Sequence, residues 1–303
     1  MKSPDVATLE LVRSAVVPRW ADVAALVRPR VALMVLVTVL LGGLLAADSF
    51  VPSLVLWHAV LATGLVTAGA SILNQWLERR TDAAMARTED RPLVTGRIRS
   101  LDGFVLGWVL ALGGLAYMLA AVPNALATGV TAFTFLAYVF VYTPLKRITT
   151  LNTLIGAVPG ALPPVIGWTA VRGSFDAGAL ALFLIVFVWQ IPHFLAIAWM
   201  YRDEYAAAGL RMLTVGDRRG ERTAQQMLLY GLALVPVSLT PVQIGLAGPT
   251  YAVGAGVLAA LFLWPIARFQ RNRSVAAARS VLKASLIYLP GALGMLLASK
   301  YWL

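Results

Sequence analysis

The 303-residue chain has no cysteine and only two histidines. Disulfides, thiolate metal sites and cysteine nucleophiles are therefore excluded, and two histidines cannot build a histidine-cluster metal centre. Charge is scarce as well: 13% of residues are charged, 59% are hydrophobic and the mean hydropathy is +0.78. Soluble domains carry roughly 25% charged residues, so an ordinary soluble surface is excluded. Alternating strands of about ten residues, the mark of a membrane β-barrel, are missing too. The first 25 residues hold Lys2, Arg13 and Arg19 but no compact apolar run, which reads as a cytoplasmic leader on the membrane surface and not as a cleaved signal peptide.

What the chain does have is apolar blocks of about 20 residues, each long enough to cross a hydrocarbon core of about 30 Å as a helix. They fall near 31–47, 54–77, 104–122, 125–145, 153–171, 177–201, 227–246, 251–269 and 282–302. The expectation is an all-α, polytopic membrane protein of about nine helices in one domain spanning 1–303. Of the 25 lysines and arginines, all but Arg172 and Lys300 lie in the N-terminal segment or the even-numbered loops. The positive-inside rule then places the N-terminus and those loops in the cytoplasm and the C-terminus outside. The net charge of +11 follows from this topology and from attraction to anionic lipid. Nothing in it calls for nucleic acid, because the basic residues are spread over several loops without a nucleic-acid-binding module.

Acidic residues concentrate in NQWLERRTDAAMARTEDRP (74–92), which follows the second block. It holds Glu78, Asp82, Glu89 and Asp90 among Arg79, Arg80, Arg87 and Arg91. Asn74, Glu78 and Asp82 are spaced four apart, and each step of four turns a helix by only about 40°, so the three share a face. Asp203 and Glu204 form a second acidic pair after the sixth block, at the matching topological position. Hard cations such as Mg²⁺ take carboxylate and carbonyl oxygens. Guanidinium groups hold phosphate oxygens in pairs. Together they suggest a metal-bridged diphosphate; the plainer alternative is a solvated loop marking the cytoplasmic side.

Other polar residues interrupt the blocks. His193 and Gln190 in WQIPHF sit within the sixth, where an ionisable group is a functional candidate by default. The alternative for His193 is a neutral imidazole bonded to the carbonyl that Pro192 frees. His58 lies near an outer edge and reads as interfacial. Lys146 and Arg147 close the fourth block on the face that carries both acidic clusters. Asn152 opens a fifth block rich in Gly and Pro, as either a cap or a pocket residue.

The pattern N-x3-E-x3-D followed by M-x-R-T-x2-R-P (Asn74, Glu78, Asp82, Met85, Arg87, Thr88, Arg91, Pro92) resembles the first motif of the intramembrane UbiA prenyltransferase superfamily. Within it, YTPLKR-x4-N-x3-GAVPGALPPVIGW, WQIPHF and DEY-x3-G-x2-ML resemble the protoheme IX farnesyltransferase family, with strong motifs from about residue 28 to 213 and span count beyond. The resemblance implies a helical bundle around a central cavity open to lipid. It implies Mg²⁺-dependent transfer of the farnesyl group of farnesyl diphosphate to a vinyl group of haem b, giving haem O. Carried over, Asn74, Glu78, Asp82 and Asp203 become catalytic metal ligands, with Glu204 a further one. Arg87, Arg91, Lys146, Arg147 and Arg202 become diphosphate contacts, and His193, Gln190 and Asn152 haem contacts, His193 by iron or propionate. Haem A synthase or oxidase assembly factors are the implied protein partners. Two positions depart from the superfamily pattern: Glu78 stands where Asp is usual, and Ala207 follows Asp203 where a second Asp is frequent. The rivals are a quinone or chlorophyll prenyltransferase and, from another class, a transporter with His193 at its substrate site.

Overall fold

The computed structural model describes residues 20–50 and 53–302. Among them are nine helices long and apolar enough to cross a membrane. They are α1 (Pro29–Ala46), α2 (Leu54–Asp82), α3 (Ser100–Ala121), α4 (Ala125–Leu145), α5 (Asn152–Arg172), α6 (Ala177–Met200), α7 (Glu221–Gln243), α8 (Pro249–Arg271) and α9 (Val275–Tyr301). Each coincides with one predicted block. The differences gather at the basic ends, where α2 runs on to Asp82 and α7 and α9 begin at Glu221 and Val275. Hydropathy marks where a helix leaves hydrocarbon, whereas the backbone ladder continues until a cap ends it. For α9 that cap is Ser274, whose side chain accepts from the Ala277 amide. For α7 it is Gly220, left-handed at φ 70°.

Most of the predicted leader, 1–19, lies outside the described residues. Its last part joins a short helix, Trp20–Val27, tied down at three points. Ser71 and Gln75 of α2 donate to the Leu26 carbonyl at 2.8 and 2.7 Å, and Asp22 pairs with Arg97 at 2.8 Å.

Helices α6, α7, α8 and α9 pack in sequence, and α9 returns to α6. Leu182, Ile185, Met227, Phe262 and Tyr288 fill the space between them. On the other side α2 pairs with α3, and α1 packs on the second half of α5. That contact is close because of Gly42 and Gly167: a Cβ at either would overlap the opposing backbone carbonyl, Pro164 or Val39. In lipid there is little hydrophobic gain in pairing helices, so small residues that admit tight van der Waals contact decide where they meet. Lys300 Nζ donates to the Leu45 carbonyl at 2.7 Å and the Tyr301 hydroxyl to that of Leu44 at 2.6 Å, clasping α9 to α1 at their C-terminal ends.

Two spans are irregular. Helix α5 consists of Asn152–Ala161 and Pro163–Arg172, joined at Leu162, because Pro163 and Pro164 bring no amide protons to the ladder. Helix α4 widens into a π-turn over Ala137–Tyr142. Such turns concentrate at functional sites, and this one delivers Tyr142 and Thr143 to the first motif.

Candidate active site

Helix α2 has 29 residues, about 43 Å at 1.5 Å each, against the roughly 30 Å of hydrocarbon. Its last turns therefore project at the basic end of the bundle with Asn74, Glu78 and Asp82 in line. All three face protein: Asn74 and Asp82 are buried and Glu78 is half-buried, while Arg80 one turn face away is exposed. The register read from the sequence holds.

Each of the three meets a different partner. Asn74 Nδ2 donates to Thr143 Oγ1 at 3.0 Å, and Thr143 Oγ1 in turn donates to the Tyr138 carbonyl across the π-turn at 2.9 Å. Glu78 Oε1 takes Lys146 Nζ at 2.8 Å. Asp82 pairs with Arg91, and Thr81 accepts from Arg147. Lys146 also rests over the Tyr142 ring, 4.6 Å from its centroid. Burial alone would favour the neutral amine, but the Tyr142 ring and the Glu78 carboxylate outweigh it and hold the Lys146 pKa above the ordinary lysine value.

The two charged loops do meet, as their topology suggested. Met85 from the first packs with Leu210 and Met212 from the second. The Arg87 guanidinium lies over the Tyr201 ring at 5.3 Å. Asn152 of α5 fastens the second loop to the segment between α4 and α5: its Nδ2 donates to the Arg211 carbonyl at 2.8 Å and to that of Thr149 at 2.6 Å, while the Arg211 amide donates to the Lys146 carbonyl at 2.7 Å. Asn152 is thus spent on backbone, and here it clamps loops. Between α4, α5, α6 and the second loop lies a cavity of about 60 Å³ lined by Tyr142, Thr153, Phe194, Ile197, Ala198, Tyr205 and Met212. A larger, open depression of about 540 Å³ lies elsewhere, lined by Arg79, Arg80 and Arg99 among others, and includes none of the acidic line.

Not every expected residue converges. The Asp203 side chain is 95% exposed and pairs, among the described residues, with Arg202 alone, Nε to Oδ1 at 3.6 Å. Glu204 instead turns one oxygen, Oε2, into the protein, where it has no hydrogen-bond partner among the described residues. Arg202 stacks on the Trp199 ring at 4.3 Å. Gln190 Nε2 donates to the Ala157 carbonyl at 2.7 Å, in space left by Gly160, and so joins α6 to α5. Among the described residues no three His or acidic side chains gather tightly enough to hold an ion between them. The reason is electrostatic: unlike charges within 4 Å gain energy that facing carboxylates would lose. The donor set nonetheless suits Mg²⁺. Its atoms are oxygens, and Asn74 Oδ1 is buried with no hydrogen-bond partner among the described residues.

A sequence model described as the UbiA prenyltransferase family matches residues 35–287. The chain belongs to the UbiA prenyltransferase family. Its likeness to individual UbiA proteins is long: a protoheme IX farnesyltransferase of Solibacter usitatus is 41% identical over 92% of this chain and 98% of its own. One of Koribacter versatilis is 42% identical over 93% and 94%. The resemblance thus continues past residue 213, where the sequence reading found only span count. Among solved structures, a digeranylgeranylglyceryl phosphate synthase superposes with a TM-score of 0.78 at 16% identity, covering 93% of this chain and 99% of that one. A UbiA homolog from Archaeoglobus fulgidus bound to DMAPP and Mg²⁺ gives 0.60 at 18%, covering 91% and 99%. At such identities these two establish the UbiA fold alone. The chain is an integral membrane prenyltransferase.

Residues the motif reading passed over include Tyr142 and Thr143, although both stand in the quoted YTPLKR stretch. Their signal was position: they precede Lys146 by one turn. Thr81, which accepts from Arg147, was hidden between the two acids in sequence.

Proposed function

We propose that the protein transfers the farnesyl group of farnesyl diphosphate to a vinyl group of haem b, that water then adds to the cation this leaves on the haem side, and that diphosphate and a proton are released with haem O as product. The observation that supports this most directly is the near-full-length likeness to proteins named protoheme IX farnesyltransferase. The site chemistry agrees with it. Asn74, Glu78 and Asp82, with Glu204 from the second loop and Asp203 beside it, would hold Mg²⁺. That ion, when bound, supplies positive charge against the charge developing on the leaving diphosphate.

The chain's own cations do the rest of the anchoring. Lys146 and Arg91 now balance Glu78 and Asp82, and an entering diphosphate would offer them denser negative charge. Moving to phosphate oxygens, they would release both carboxylates for the metal, so no charge is left buried alone in either state. Arg87 and Arg147, within the same loops, complete the diphosphate clamp, and Arg202 flanks it. Loss of diphosphate leaves an allylic cation that must be kept from water until the vinyl carbon attacks. Tyr142, Phe194 and Ile197 wall the adjoining cavity with apolar and aromatic surface, and aromatic faces stabilise a cation. The cavity as it stands is far smaller than a farnesyl chain, so the second loop must yield when substrate enters. His193 on α6 marks where haem would lie, and Gln190 and Asn152, both bonded to backbone carbonyls, would hold the helices and loops around it. The basic end faces the cytoplasm in this reading.

The test is reconstitution. Purified protein given farnesyl diphosphate should release diphosphate only when haem b is also present, stop on chelation with EDTA, and resume with Mg²⁺. Diphosphate release driven by a phenolic acceptor but not by haem would overturn the reading.

A further inference from the structure

Ser285 has no role in the sequence reading, which took the last block only as a span. In the structure it is fully buried on α9, and its Oγ lies 2.7 Å from His193 Nδ1 on α6. A hydroxyl has a single proton to give. Ser285 gives it to its own helix, where Oγ donates to the Leu282 carbonyl at 2.7 Å. Toward His193 it can only accept. The imidazole proton therefore sits on Nδ1, and Nε2 carries the lone pair.

The surroundings hold the ring in that attitude. The Trp189 indole stacks on it, with centroids 4.9 Å apart at 28°. Trp189 is itself fixed by the same serine, Nε1 donating to the Ser285 carbonyl at 2.9 Å. The Phe194 ring meets the imidazole edge-on at 5.5 Å. Nε2 has no partner among the described residues and is not sealed in, because His193 is only half-buried. The carbonyl that Pro192 frees, at Val188, is not what the imidazole bonds.

We propose that Ser285 is a positioning residue for the haem substrate: it fixes the tautomer and ring plane of His193, the haem contact that the resemblance implies, so that Nε2 meets the iron and not a propionate. An iron ligand must present a lone pair, which is what this tautomer presents. A propionate would need an N–H at Nε2, and the proton is already committed to Ser285. The arrangement is that of metal-binding histidines generally, whose second nitrogen donates to a fixed acceptor. The inference rests on haem being the substrate and narrows how it is held.

The test compares two porphyrins on the purified protein in detergent: hemin, and protoporphyrin IX without metal. Wild-type protein should bind both, with the Soret band of histidine-ligated haem for hemin. His193→Ala should lose that band and about tenfold or more in hemin affinity. Its protoporphyrin affinity should stay unchanged, and free imidazole should bring the band back. Ser285→Ala should weaken hemin about tenfold while sparing protoporphyrin, and Ser285→Thr, which keeps the acceptor, should recover it. Equal losses for both porphyrins, or an unaltered hemin spectrum in His193→Ala, would overturn the proposal. A wild-type protein that bound neither porphyrin would overturn the haem assignment itself and this inference with it, a result distinct from losses confined to the variants.

Discussion

At the scale of residues, the site is a set of matched charges that can change partners. Asp82 illustrates the consequence. Its carboxylate is almost wholly buried against Arg91, so Asp82→Asn keeps the shape and removes the charge. The account predicts a fall in kcat/KM of about a hundredfold or more, since lost charge stabilisation of about 3 kcal/mol is roughly two factors of ten. The amount of folded protein after detergent extraction should hold up. Activity within a factor of two of wild type would rule Asp82 out as a ligand. Lys146 is expected to behave differently: Lys146→Gln should raise the KM for farnesyl diphosphate about tenfold with a smaller change in kcat, the signature of a lost anchoring contact. Steady-state kinetics with varied farnesyl diphosphate would separate the two cases.

At the scale of elements, the spans were legible because lipid demands long apolar stretches, and no soluble pattern imitates nine of them. What sequence could not show is how they pack. Nothing in hydropathy reveals that Gly42 and Gly167 put α1 against α5 at backbone contact. Gly167→Ala should therefore cost about 1–3 kcal/mol as overpacking and lower the melting temperature in detergent. Gly113→Ala, in α3 with open space around its would-be Cβ, should leave melting unchanged or raised. The reverse order would mean that the contact is looser than described. The site was half legible. Register put Asn74, Glu78 and Asp82 on one face, and matched loop positions brought Met85 to Leu210 and Met212. Side-chain direction was not legible: Asp203 and Glu204 are neighbours in sequence, yet only Glu204 turns an oxygen inward. Ser285 had no signal at all, because its partner lies 92 residues away and serine in a span is unremarkable by itself.

At the scale of the molecule, the charge asymmetry makes an orientation that can be measured. With no native cysteine, single cysteines can be placed at will. Ser174→Cys, exposed after α5, should react with a membrane-impermeant maleimide in intact cells. Arg218→Cys, exposed between α6 and α7, should react only after permeabilisation. The opposite pattern would invert the topology and place the diphosphate site outside, away from a cytoplasmic supply of substrate. The function of the whole, however, is decided by what it makes. Expressed in bacteria that lack their own haem-farnesylating enzyme, the chain should cause the extracted haems to include haem O, identified by chromatography and mass, and Asp82→Asn should prevent it. Extracts that contain haem b alone, with both substrates present and the protein in the membrane, would contradict the account.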